Sequence, residues 1–174
     1  DTVRQNIQEM TDCGATVTFI QTNIASRQSV DNAFSIISDK GIVIDAVVHG
    51  AGTEESKPLA QKDTAAFRRV YHPKVQGALN ILQNIPTSTF FLSMGSIAGR
   101  FGNQGQIDYS AANDAVAYVC QQRNNALHIC WSAWADVGMA THGAAKDRVM
   151  AIAKASGVAL ISSAQGLTVM GLVL

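Results

Sequence analysis

The chain's 174 residues balance thirteen Asp and Glu against thirteen Lys and Arg, for a formal charge of zero at pH 7. With no run of like charge, neither nucleic acid nor an anionic membrane is an expected partner. No apolar stretch approaches the roughly eighteen residues of a membrane helix, so the length is that of one domain binding a small molecule or a protein.

In chain order, the opening DTVRQNIQEM is polar and spaced as a helix, unlike a signal peptide. TVTFIQ at 16–21, a short run rich in β-branched and aromatic residues, reads as a strand. Val30, Ala33, Phe34 and Ile37 then follow the i, i+3, i+4, i+7 rule of an amphipathic helix, with Ser26 or Ser29 as its N-cap. IDAVVHG at 44–50 is a second strand, and Phe67, Val70, Val75, Ala78, Leu79 and Leu82 outline a long helix behind it. TFFLSMGS at 89–96 is a third strand and LHICWSAW at 127–134 a fourth, with a helix expected between them over about 107–123. A more broken helical segment, AAKDRVMAIAKASG, follows at 144–157. Apolar strands separated by helices imply a parallel sheet covered on both faces, the doubly wound α/β class. Cys13, Cys120 and Cys130 are odd in number and never reach a C-x-x-C spacing. They read as reduced core thiols of a cytoplasmic protein, not as disulfides or metal ligands.

In an open parallel sheet, ligands gather at the carboxyl ends of the strands. After the second expected strand comes His49-Gly50-Ala51-Gly52, whose glycines let the backbone approach a ligand closely; a Gly-containing turn after a strand is in itself ordinary. After the third comes Ser96, then the Gly-rich IAGRFGNQGQ, then Tyr109 opening a helix with Asn113 on the same face one turn on. Two hydroxyls converging on a carbonyl oxygen would polarise it, and Tyr109 could supply the proton that an alkoxide needs as hydride reaches the carbon. A free phenol has a pKa of about 10, so a nearby cation that favours phenolate is called for. Lys74, among apolar neighbours in HPKVQGALNIL, is the candidate, the alternative being a snorkelling side chain. His49, His72, His128 and His142 lack a carboxylate at ligand spacing and read as structural, with His49 beside the glycine turn the one to watch. Of Trp131 and Trp134, at least one is expected in the core, while the other could line a substrate mouth.

The set Lys74, Ser96, Tyr109, Asn113, in this order and spacing, resembles the ketoreductase domains of polyketide synthases and polyunsaturated fatty acid synthases, members of the short-chain dehydrogenase/reductase superfamily. The superfamily's usual order is Asn, Ser, Tyr, then Lys four after the Tyr; these ketoreductases exchange Asn and Lys, as this chain does. TNIAS at 22–26 resembles the segment bordering the adenine, with Asn23 where an Asp is usual, and HGAG the turn beneath the nicotinamide ribose. WSAWADVGMA at 131–140 resembles the stretch before the mobile lid, and ISSAQGL at 161–167 the start of the next helix.

The resemblance implies a Rossmann-like fold, NADPH, and a β-ketoacyl chain on the phosphopantetheine arm of an acyl carrier protein, beside neighbouring synthase domains. It makes Tyr109 the proton donor, Ser96 the group that orients and polarises the ketone, Lys74 the group that lowers the Tyr pKa and helps relay protons, Asn113 the support of that relay, and Asn23, His49, Gly50, Ala51 and Gly52 cofactor contacts. No metal is implied. The G-x-G-x-x-G loop that holds a pyrophosphate is absent from the 174 residues, as is the basic residue that would read a 2′-phosphate. The sheet is therefore expected to be incomplete, lacking its first two strands, with residues 1–174 the C-terminal part of one NADP-binding domain in a longer parent. TEES after the glycine turn and Phe101 before the Tyr match neither stereochemical class of these reductases. Two further readings stay open: a ketoreductase-like module that has lost reduction and holds its neighbours, and a free-standing reductase of a small ketone, against which the Lys/Asn exchange argues.

Overall fold

The computed structural model describes residues 2–138 and 159–174, with positions 151, 153, 155 and 157 between them. Strands β1 (Ala46–His49), β2 (Phe90–Ser96) and β3 (Ala126–Trp131) form a parallel sheet in the order β1-β2-β3. Helices α1 (Thr2–Asp12) and α2 (Arg27–Asp39) precede it, α3 (Thr64–Leu82) crosses from β1 to β2, and α4 (Ala98–Phe101) and α5 (Ile107–Gln121) cross from β2 to β3. Helix α6 (Ser163–Val173) closes the chain. This is the mixed α/β architecture read from the alternating apolar runs, with part of a Rossmann-like sheet present.

The central strand explains the arrangement. Phe91 and Leu92 point to opposite faces of β2 and are both fully buried, which fits a strand apolar on both sides and stabilises the fold by roughly 1.5–3 kcal/mol for each side chain. On the Phe91 face, Val75, Ala78 and Ile81 of α3 meet Ala112, Val116 and Cys120 of α5 to make the core. The two helices thus lie side by side on the sheet, and each presents its N-terminal half toward the carboxyl ends of the strands. Asp63 caps α3 by accepting the Ala66 N–H at 2.7 Å, and Ser26, rather than Ser29, caps α2. Buried Asn80 donates to the Ile24 carbonyl at 3.0 Å, tying the Asn23 segment to α3.

Pro73 stands inside α3. A proline lacks the N–H that would bond the carbonyl four residues back, here that of Arg69. Thr53, just past the glycine turn, takes up that carbonyl: its hydroxyl donates to Arg69 O at 2.9 Å. The interrupted ladder therefore fastens the turn after β1 to the helix carrying Lys74.

Three expectations are corrected and a fourth is bounded. TVTFIQ at 16–21 is not a strand: no strand of the described chain lies beside it to take its backbone hydrogen bonds, and Phe19 is 62% exposed. Cys13 is exposed, not a core thiol, because α1 buries none of its residues. The apolar run 127–134 breaks after Trp131; Trp134 bridges to Ile161 instead. His142, Met139, Ala140 and most of the helical segment expected at 144–157 lie outside the described residues.

Candidate active site

The register pairs His49 with Ser93 and Ser96 with Trp131, so the three strands bring their carboxyl ends to one edge. Gly50, Ala51 and Gly52 leave β1 there, Ser96 ends β2, and Tyr109 and Asn113 arrive on the first turns of α5. A side-chain carbon added at Gly52 would lie 3.3 Å from Lys74 Cε and 3.6 Å from Nζ. Glycine at that position is what allows the turn to pass directly over the lysine head.

Lys74 is 3% exposed. Its Nζ does not snorkel outward but donates to the Met94 carbonyl of β2 at 2.8 Å. Burial disfavours the ammonium and lowers its pKa to about 8. Tyr109 is half-buried, and desolvation pushes its phenol above the usual value; the Ser96 and Asn113 side chains draw it back, while the Glu54 carboxylate adds to the rise. Burial lowers both His49 and His128, and the Lys74 charge adds to the drop in each, opposed at His49 by the bond to the Lys74 carbonyl; that charge is not among those acting on the Tyr109 phenol, so the lowering expected of Lys74 is not what this arrangement gives. Asn113 is fully buried and donates from Nδ2 to the Tyr109 carbonyl at 2.8 Å. Its Oδ1 is buried with no partner among the described residues, an acceptor whose isolation costs roughly 1–3 kcal/mol until something donates to it.

Of the predicted residues, Lys74, Ser96, Tyr109, Asn113 and Gly50–Gly52 share this edge. His49 is directed elsewhere: its Nε2 lies 2.8 Å from the Lys74 carbonyl and its ring stacks on Phe91, so only its backbone faces the edge. Asn23 is exposed and shapes its own turn, with Oδ1 accepting the Ala25 N–H at 3.1 Å. Trp131 is buried and meets Trp134 edge to face at 5.1 Å, while Trp134 packs on α6 at Gly166. Phe101 is 85% exposed.

Other residues of the site carried no mark in the sequence. Glu54 accepts from Gln106 Nε2 at 2.9 Å and Ser56 Oγ, and Lys57 N bonds the Gly105 carbonyl at 3.0 Å, which docks the loop 53–62 on the Gly-rich loop before Tyr109. Lys62 and Asp108 form a buried ion pair at 2.5 Å. His128 Nδ1 lies 3.2 Å from Ser93 Oγ, and its Nε2 is buried above Gly95 without a partner among the described residues. Asp108 alone left a readable sign, an acidic residue in a helix's first turn. Among the described residues no group of three or more His, Cys, Asp or Glu could hold a metal ion, and no helix is long and apolar enough to cross a membrane.

Residues 1–136 match the family model described as the KR domain. The chain belongs to the KR domain family. Polyketide synthase ThaG of Burkholderia thailandensis is 31% identical over 166 residues, 88% of this chain and 3% of that protein. The ketoreductase from the first module of phoslactomycin biosynthesis in Streptomyces sp. HK803 superposes with a TM-score of 0.86 at 22% identity, over 96% of this chain and 39% of that one. A structure of A-type ketoreductases from a modular polyketide synthase gives 0.75 at 25% identity, over 84% and 32%. This KR chain thus spans a small part of its curated relatives and about a third of the solved domains.

The residues present fit a nicotinamide group at the edge of the sheet. The turn at Gly50–Gly52 carries no side chain larger than a methyl, so its backbone can approach a ligand, and at the same edge the Ser96 side chain bonds the Tyr109 phenol. The chemistry of the donor set, two hydroxyls, one amine and one carboxamide, is that of carbonyl polarisation and proton transfer.

Proposed function

We propose that the protein containing this KR chain reduces a β-ketoacyl thioester carried on an acyl carrier protein to the β-hydroxyacyl thioester, with NADPH as reductant, inside a polyketide or fatty acid assembly line. The observation that carries this reading is the Tyr109 hydroxyl, half-buried between Ser96 and Asn113, at the edge where buried Lys74 lies under a glycine turn.

When bound, NADPH would supply the hydride that the ketone carbon takes up. Gly50, Ala51, Gly52 and the Asn23 segment are the residues that would hold it, the first three through backbone. Ser96 donates to the ketone oxygen and fixes its direction. Tyr109 gives its proton to the same oxygen as negative charge grows there, so the C=O bond becomes C–OH and the Tyr is left as phenolate. Lys74, with a pKa of about 8, can give up a proton near neutral pH and regain it, and the unpartnered Asn113 Oδ1 is the acceptor through which the relay to Tyr109 would pass.

The test is NADPH oxidation by the full-length protein with a β-ketoacyl thioester, alongside Tyr109→Phe. Turnover that falls by about 10²–10⁴-fold in the variant, with cofactor affinity unchanged, is the expected result. A folded protein that binds NADPH but shows no turnover would instead be a structural module of its synthase.

A further inference from the structure

The loop after β1 and the first turn of α5 meet at a buried ion pair. Lys62 and Asp108 are 46 positions apart, and their side chains are 2% and 1% exposed. Lys62 Nζ donates to Asp108 Oδ2 at 2.5 Å and to the Glu55 carbonyl at 2.5 Å. The other carboxylate oxygen, Oδ1, accepts the backbone N–H of Tyr109 at 2.9 Å. Every strong acceptor in the cluster is used, and the carboxylate sits in the first helical turn, where it complements the positive end of the helix dipole.

A pair this deeply buried is weak support for stability, because removing two charges from water costs about as much as their attraction returns. What the pair fixes is geometry. It locks the main chain at the residue immediately before Tyr109, and the same lysine holds the loop that carries Glu54 next to the phenol. We propose that Lys62 and Asp108 are positioning residues for Tyr109, setting the direction of its hydroxyl against the incoming ketone; this rests on the ketoreductase reading above.

Replacing the pair by apolar side chains in the full-length protein, Lys62→Met with Asp108→Leu, separates this role from a stabilising one. Thermal stability is expected to be unchanged or raised, and NADPH affinity and KM for the thioester unchanged. The kcat is expected to fall on the order of 10- to 100-fold, the cost of a displacement of about an ångström in a reacting group. A folded double variant with kcat within twofold of the parent overturns the proposal. If that variant does not fold, Asp108→Glu decides by the same criterion, since it keeps both charges and moves the carboxylate by one methylene.

Amide hydrogen exchange at Tyr109 is a readout independent of activity. Faster exchange in the variants is expected, and unchanged protection overturns the proposal. Should the parent bind NADPH yet reduce nothing, the ketoreductase reading fails, and the exchange result still judges the positioning role.

Discussion

Two lysines are buried at the same edge of the sheet, and they are settled in opposite ways. Lys62 meets the Asp108 carboxylate and the Glu55 carbonyl, whereas Lys74, among the described residues, meets the Met94 carbonyl alone, with its pKa lowered to about 8. A buried ammonium beside a carboxylate remains a fixed charge that anchors what surrounds it. One beside a carbonyl is held in an environment that disfavours its charge, so its proton is available for exchange. On the proposed reading the paired lysine belongs to the frame of the site and the other to its chemistry, and neither spacing nor burial alone would have told them apart.

The largest effect is expected where the comparison is broken at its reactive end. Lys74→Met should lower kcat by about 10²–10⁴-fold while leaving the thermal transition unchanged or higher. The sign follows from the depressed pKa. Below pH 8 the folded state holds a charge that burial disfavours, and that cost fades as pH rises from 8 toward 10.5, where the unfolded lysine also loses its proton. A Lys74→Met protein less stable than the parent at pH 7 would contradict the assignment.

Lys62→Met alone acts at the other end. It strands the Asp108 carboxylate, and stability should drop by about 3–5 kcal/mol in urea unfolding. Lys62 is in that respect the reverse of Lys74: the single substitution harms the fold, and only the paired substitution reveals the effect on kcat.

The smallest effect sharpens the contrast at a distance. His128 is lowered to about 4, chiefly by burial and then by the charges of Lys74 and Arg100, with Asp114 opposing. A base whose folded pKa lies below its unfolded value contributes stability above pH 6.5 that is lost as pH falls toward 4. Titrating His128 by NMR in Lys74→Met should find its pKa raised relative to the parent. In the paired variant of Lys62 and Asp108 it should stay where it is, since neither residue acts on His128.

Much of the frame was legible from the chain. The strands at 46–49, 90–96 and 126–131 announced themselves as apolar runs, and Lys74, Ser96, Tyr109 and Asn113 by their order and spacing. TVTFIQ carried the same signature at 16–21 yet forms no strand, because a run of β-formers states a preference while a strand needs a neighbour to pair with. The pairing of Lys62 with Asp108 was invisible for a related reason: it spans 46 positions and leaves no period in either segment. His49 lies next to the glycine turn in sequence, but strand alternation sends its ring into the core against Phe91 and the Lys74 carbonyl.

Gly95 and His128 face one another so closely that a side-chain carbon on the glycine would sit 2.1 Å from the imidazole Nε2 and 2.9 Å from the Ile129 carbonyl. The neighbours that crowd this spot thus come from one strand, and the imidazole is the larger obstacle. For a lineage diverging from this sequence, the two sites cannot drift independently. Shrinking position 128 removes only the imidazole, and the Ile129 carbonyl still lies 2.9 Å from the added carbon, so a larger residue at position 95 needs both a smaller residue at 128 and a shift of the strand beside it.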